Sequence, residues 1–341
     1  MKNLFLSLCI LCFSCSDVKL DNSSVKIAVL IDGKFNDNAF HESAWKAAKK
    51  LEKEFGLEIV MKESNPDFYL SDIESLKNNG LDLIWLIGYN FSDLAVIVAE
   101  KNPGIKCVII DPIYNRQDLR VPDNLLAITF RVEECAFLVG YIAAKVSKTG
   151  KIGFLGGMDS AVINAFRYGY EAGAMYANKN IIVDSKYIGS FVDIYTGKSM
   201  TNDMYANGVD IVYHAAGLAG LGVIEVAKEL GDGHYVIGVD QDQSHLAPEN
   251  VITSSIKDIG RVLSIVTSNY LKTNIFEGGR VLNYGLREGF LGFVRNPKEI
   301  SFELENELEH ISERIMNGEI VVPNTKEAYV DFLRRVGIFL S

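Results

Sequence analysis

The sequence predicts an α/β protein of two lobes built on parallel sheets. Three observations carry that expectation. Short runs rich in β-branched residues recur along the chain and alternate with helical patterns. Those runs are continuously apolar rather than alternating, as strands buried on both faces are. The 341 residues exceed a single ordinary core, since domains hold roughly 100 to 200 residues each.

From the N-terminus, MKNLFLSLCILCFSCS carries one lysine at position 2, an apolar stretch over 4–13 and small residues around Cys15. This is the layout of an export signal, too short to span a bilayer as a helix. The Leu-x-x-x-Cys spacing from Leu11 to Cys15 is similar to a relaxed lipoprotein signal, in which Cys15 becomes the lipidated first residue; Cys12 is the competing site, and a plain signal peptide is the alternative. The reading is a signal over 1–15 and a polar tether over 16–24. Strand-like runs follow at 26–31, 58–61, 83–87, 106–110, 127–130, 152–155, 182–187, 210–213, 235–239 and 251–254. Helical patterns stand between them, among them HESAWKAAKKLEKEF, FSDLAVIVAEKN, INAFRYGYEAGAMYA and GVIEVAKEL. The rhythm breaks near residue 130, where a long apolar helix precedes KIGFLGG, and two further crossings between lobes are expected at 252–260 and 286–294. The tail, ISFELENELEHISERIMNGEIVVP, reads as an acidic surface helix before a last short one.

Net charge of −10 argues against nucleic acid, whose phosphates are bound by clustered Lys and Arg. Outside the leader only Cys107 and Cys135 remain, each in an apolar run and read as small core residues. Beyond the leader no CxxC, HExxH, Walker A, G-x-G-x-x-G or G-x-S-x-G motif occurs, so neither metal nor cofactor is expected and binding without chemistry is the simpler account.

In open parallel sheets the ligand crevice lies beyond the carboxyl ends of the strands. The residues found there are Asp32, Asn36, Asp37 and Phe40 after the first run, GYNFSD from Gly88 after the third, and Asp111 after the fourth. The second half adds Gly156 and Gly157, then Phe191 and Asp193, Gly217, Asp240 and Asp242. Carboxylates, amides and glycines suit a neutral polyhydroxylated ligand, and Phe40 and Phe191 supply two flat faces for a sugar ring or a base. Each residue has a plainer reading: Asp32 or Asp37 as a helix cap, Phe40 as core, Asp111 before Pro112 as a turn former, Asp240 as part of a solvated loop.

The segments NDNAFHESAW, FVD, HAAGLAGLGV, IGVDQDQ and ITSSIKD, in order over about residues 26–295, resemble the basic membrane protein family of lipoproteins, which includes purine nucleoside receptors of ABC transporters. The resemblance implies a type I periplasmic-binding-protein architecture with two Rossmann-like lobes, 25–130 plus 256–285 and 131–255 plus 286–341, and three hinge crossings. It implies a base held between Phe40 and Phe191, with Asn36 and Asp37 at the base edge. Asp240 would take the ribose hydroxyls, near Lys257 and the backbone of Gly217, with Asp111 and Gly88 completing the lining. The amide of Asn36, where many relatives carry an acid, leaves the choice among adenosine, guanosine and inosine open. Implied partners are an ABC permease with its ATPase, and a membrane reached through the lipid anchor, for a monomeric, non-enzymatic receptor. A sugar receptor of the same fold, a surface adhesin with a vestigial cleft and a nucleoside-cleaving enzyme are the rival readings.

Overall fold

The computed structural model describes residues 25–114 and 120–338; the signal, the tether and Cys15 lie outside the described residues. The first series of elements is β1 (Ile27–Asp32), α1 (Phe40–Phe55), β2 (Ile59–Ser64), α2 (Tyr69–Asn78), β3 (Leu83–Ile87), α3 (Ser92–Lys101), β4 (Lys106–Ile110) and β5 (Leu125–Phe130). The second is α4 (Val132–Val146), β6 (Lys151–Gly156), α5 (Ala161–Ala177), β7 (Ile182–Tyr187), α6 (Ile194–Ala206), β8 (Ile211–Ala215), α7 (Gly220–Leu230), β9 (Tyr235–Asp240) and β10 (Val251–Lys257). The chain ends with α8 (Ile259–Thr273), β11 (Arg280–Tyr284), β12 (Leu291–Phe293), α9 (Phe302–Met316) and α10 (Lys326–Arg335).

Two six-stranded sheets result, ordered β11-β5-β4-β3-β1-β2 and β12-β10-β9-β8-β6-β7. The chain passes between them three times: after β5, after β10, and between β11 and β12. Helix α8 packs on the first sheet's side, where the Trp85 indole N–H donates to the Thr267 hydroxyl at 3.1 Å. At the crossings, Arg131 ties the segments together, donating to Glu134, to the Asn283 carbonyl and to Glu288 at 2.6, 2.8 and 2.9 Å.

The local causes are ordinary. Strand β3, LIWLI, is buried along its whole length, which its unbroken apolar run anticipates. Helix α1 buries Ala44, Ala47, Ala48 and Leu51, the spacing of one helical face, and stops at Gly56, whose left-handed φ of 67° lets its N–H reach the Glu52 carbonyl. Helices α4 and α5 touch backbone to backbone: a Cβ on Gly140 would lie 2.1 Å from the Tyr170 carbonyl oxygen, so only glycine permits the approach.

Two differences from the sequence expectation concern the sheet edges. The sheets are not wholly parallel, because β12 pairs antiparallel with β10. Strands β11 and β12 were not anticipated, since RVLNY is mostly solvent-facing and lacks a buried apolar run, and LGF has only three residues. The acidic tail helix α9 is amphipathic, burying Leu304, Leu308, Ile311 and Ile315.

Candidate functional site

Because the strands bordering the cleft run parallel, their carboxyl ends open onto one crevice between the two sheets, and its lining draws on both. The crevice encloses about 810 Å³ of non-atom space, its open mouth included. Of the residues singled out from sequence, Asp37, Phe40, Gly88, Asp111, Phe191, Gly217, Asp240 and Lys257 line it. Asn36 does not; it is exposed on the loop before α1. Asp32, Tyr89 and Asn90, also read at the strand ends, line it too, and His41, Val162, Ile163 and Phe166 join them.

Asp37 is nearly inaccessible, and its carboxylate accepts from the backbone N–H groups of Ala39, His41 and Glu42 at 2.9, 2.9 and 3.0 Å. It therefore caps α1 while facing the crevice. Burial alone would raise its pKa, but the His41 side chain, 3.2 Å away, and those backbone donors outweigh burial and hold the carboxyl below 3.8. The cap fixes the start of α1 and with it Phe40, the first residue of that helix.

Asp111 and Asp240 end strands that occupy the same place in the two sheets, β4 and β9. Both take left-handed backbone conformations, φ 58° and 67°, which Asp tolerates better than most residues. Asp111 pairs with Lys257, the last residue of β10 in the opposite lobe. The Lys257 ammonium also sits 4.7 Å from the Phe40 ring centroid and 5.1 Å from that of Phe130, so one buried cation joins both lobes and steadies the aromatic face.

Asp240 has no such partner. It is 8% exposed, and no side-chain hydrogen bond reaches its carboxylate among the described residues. Burial pushes its pKa to about 7; the Lys257 charge pulls it down, while Asp37 and Asp111 push it up and His41 pulls it down. A buried carboxylate without donors is costly, unless a ligand supplies them.

Phe191 projects from the loop after β7. Its carbonyl accepts from the Ala219 N–H at 2.9 Å, and its ring lies against Gly157, where a Cβ would approach to 2.3 Å. From the first lobe, Tyr89 meets it edge to face at 6.4 Å between centroids. Tyr89 belongs to the GYNFSD segment expected there, whereas Val162 and Ile163 lie beyond the strand ends, one helical turn past Gly157, where a strand-end rule does not reach. Among the described residues no cluster of metal-ligating side chains occurs, and no helix is long and apolar enough to cross a membrane.

Comparison with known proteins agrees with this geometry. A family model described as ABC transporter substrate-binding protein PnrA-like matches residues 24–326. Basic membrane protein A of Borreliella burgdorferi is 58% identical over 322 residues, 94% of each chain. Basic membrane protein D of the same species is 46% identical over 324 residues, again 94% of each. Among solved structures, an ABC transporter solute-binding protein from Aeropyrum pernix superposes with a TM-score of 0.81 at 26% identity, covering 92% of this chain and 97% of that one. A second, from Conexibacter woesei, reaches 0.71 at 22% identity with 88% and 99% covered, a likeness of fold.

Proposed function

Because the chain belongs to the PnrA-like family of ABC transporter substrate-binding proteins, we propose that its cleft captures purine nucleosides and delivers them, unaltered, to a permease driven by an ATPase. The observation that carries this reading is Asp240, a buried carboxylate at a strand end with no protein donor among the described residues. A vicinal diol offers the two O–H donors such a group needs. Phe40 and Phe191, one from each lobe, line the same crevice and supply π-faces for a base; stacking contributes about 1 to 3 kcal/mol per base. The neutral character of the ligand follows from the lining, whose buried Lys257 is already matched by Asp111.

In this proposal the two lobes, one built on each sheet with the second crossing falling after Lys257 rather than at residue 256, close on the ligand, since only closure lets both sets of residues touch it. Cys15 carries the lipid that holds the monomeric receptor at the membrane. Asn36 is exposed, so base-edge recognition in this reading falls to Asp37 and its neighbours. The test uses a soluble form starting at Ser16, purified without added ligand, denatured, and its released small molecules identified by mass spectrometry. Intact purine nucleoside near one per protein is expected. A sugar would overturn the nucleoside assignment, free base after incubation with inosine would overturn the absence of chemistry, and no ligand even after soaking in mixed nucleosides would overturn capture itself.

A further inference from the structure

Directly after Asp240 the chain reads Gln241, Asp242, Gln243, and the two glutamines reach across the cleft to the loop in front of Phe40. The Gln241 amide donates to the Ala39 carbonyl at 3.0 Å and to the Glu42 carboxylate at 2.8 Å, and Lys46 donates to the Gln241 oxygen at 3.1 Å. The Gln243 amide donates to the Asn38 carbonyl at 3.0 Å. We propose that Gln241 and Gln243 are positioning residues that latch the lobes shut and set Phe40 against Asp240.

The orientation of Gln243 is decided by its own partners. Its oxygen accepts from the Val239 N–H at 2.9 Å, a group that can only donate, so the NH₂ must be the end that faces Asn38. The same oxygen lies 3.0 Å from His214 Nε2, which fixes that histidine as the tautomer protonated at Nε2. Gln243 is fully buried in its own lobe; what it offers the other lobe is one aimed N–H. Its target, Asn38, holds a left-handed φ of 52° between the Asp37 cap and Phe40. The latch thus grips the backbone at the turn that sets where the Phe40 ring stands, and it does so from the loop that begins at Asp240. Separation of the lobes by a fraction of a hydrogen-bond length breaks all four bonds together, which makes closure steep rather than gradual.

The inference extends the receptor reading but is tested apart from it. Gln241 is half-buried on a loop, so Gln241→Ala leaves the core of its lobe untouched, whereas Gln243 is better left alone. Spin labels at Lys53→Cys and Asn202→Cys, exposed sites on α1 and α6, report the interlobe distance by double electron–electron resonance, with and without inosine. Inosine release is followed by stopped flow. Expected for Gln241→Ala is about tenfold faster release with an association rate changed less than twofold, and a longer interlobe distance at saturating inosine, the pattern of a lost closing contact. Glu42→Ala should show part of this effect and diminish the further effect of Gln241→Ala, a coupling that a general loosening of the fold would not produce. Release and distances equal to the parent's would overturn the latch. If the parent binds no nucleoside, the receptor reading falls. The latch is then decided on ligand-free protein: a longer distance in Gln241→Ala supports it, and identical distributions overturn it.

Discussion

If Asp240 takes the ligand's hydroxyls as proposed, it ties ligand binding to pH. Burial, with Asp37 and Asp111 close by, raises its carboxyl from 3.8 to about 7 despite Lys257 and His41. If the ligand hydroxyls donate to the ionised form, only that fraction of the protein is competent, and the apparent Kd scales as one plus ten raised to pKa minus pH. From pH 8 to pH 6 the ionised fraction falls from about ten elevenths to about one eleventh, so nucleoside affinity should drop about tenfold. Binding near pH 7 should release roughly half a proton per ligand, read by calorimetry in buffers of different ionisation enthalpy. His41→Gln is the control for the other titratable group beside Asp37, and it should keep the slope. Linkage gives the sign for stability. The folded carboxyl holds its proton more tightly than the unfolded one, so its contribution is full below pH 3.8 and is lost as pH rises through about 7. At pH 8 the ionised group costs on the order of 4 kcal/mol, at 1.36 kcal/mol per pKa unit. Asp240→Asn should therefore raise Tm by several degrees at pH 8, with little change at pH 4, while abolishing tight nucleoside binding. Affinity that is flat from pH 6 to 8, or an Asn variant with unchanged Tm at pH 8, would refute the assignment of a costly, ligand-awaiting carboxylate.

Three other outcomes are expected. Phe191→Ala removes one stacking face from a half-buried loop and should weaken nucleoside binding by about 5- to 150-fold, the equivalent of ~1 to 3 kcal/mol, with an unchanged far-UV spectrum. Gly157→Ala would place a Cβ 2.3 Å from the Phe191 ring, so calorimetry should show weakened binding from a residue that never touches the ligand. A nucleoside 5′-monophosphate brings its charge into a lining with Asp32, Asp37, Asp111 and Asp240; one such carboxylate at about 5 Å, with an effective dielectric near 20, repels it by about 3 kcal/mol, so competition should place it more than 100-fold below the nucleoside.

How much of this was legible in the sequence depends on the range of the signal. The strands of the two sheet interiors announce themselves as apolar runs, and the rule that ligands gather at their carboxyl ends leads to Asp111, Asp240 and Gly217 without any coordinates. Strand β11 escapes because it lies at an edge, where burial no longer writes a hydrophobic run. Asp37 shows that the capping and ligand-facing readings were not alternatives, since it does the first while lining the crevice. Val162 and Phe166 read as one more apolar helix face, and no local pattern separates a face turned to a cleft from one turned to a core. The pairing of Gln243 with Asn38 spans more than 200 positions; each residue is visible in the sequence, but the contact exists only once two separately folded lobes meet.

The two sheets share one strand order, yet the site they enclose is chemically lopsided, and the lopsidedness is what leaves room for a ligand. At matching places each lobe ends a strand in an aspartate held at positive φ, a conformation that costs about 1 kcal/mol or more for a residue with a side chain. Such strain at both positions aims both carboxylates into the crevice. Lys257 then satisfies Asp111, spanning the two sheets with a pair buried on both sides, and among the described residues no second cation does the same for Asp240. Had both been paired, the crevice would be a finished polar core with nothing left to bind. Had neither been, two carboxylates would repel each other and the lobes would not close. One matched and one unmatched aspartate is the arrangement the proposed receptor needs, one that closes on its own contacts and is completed by the hydroxyl donors of its ligand.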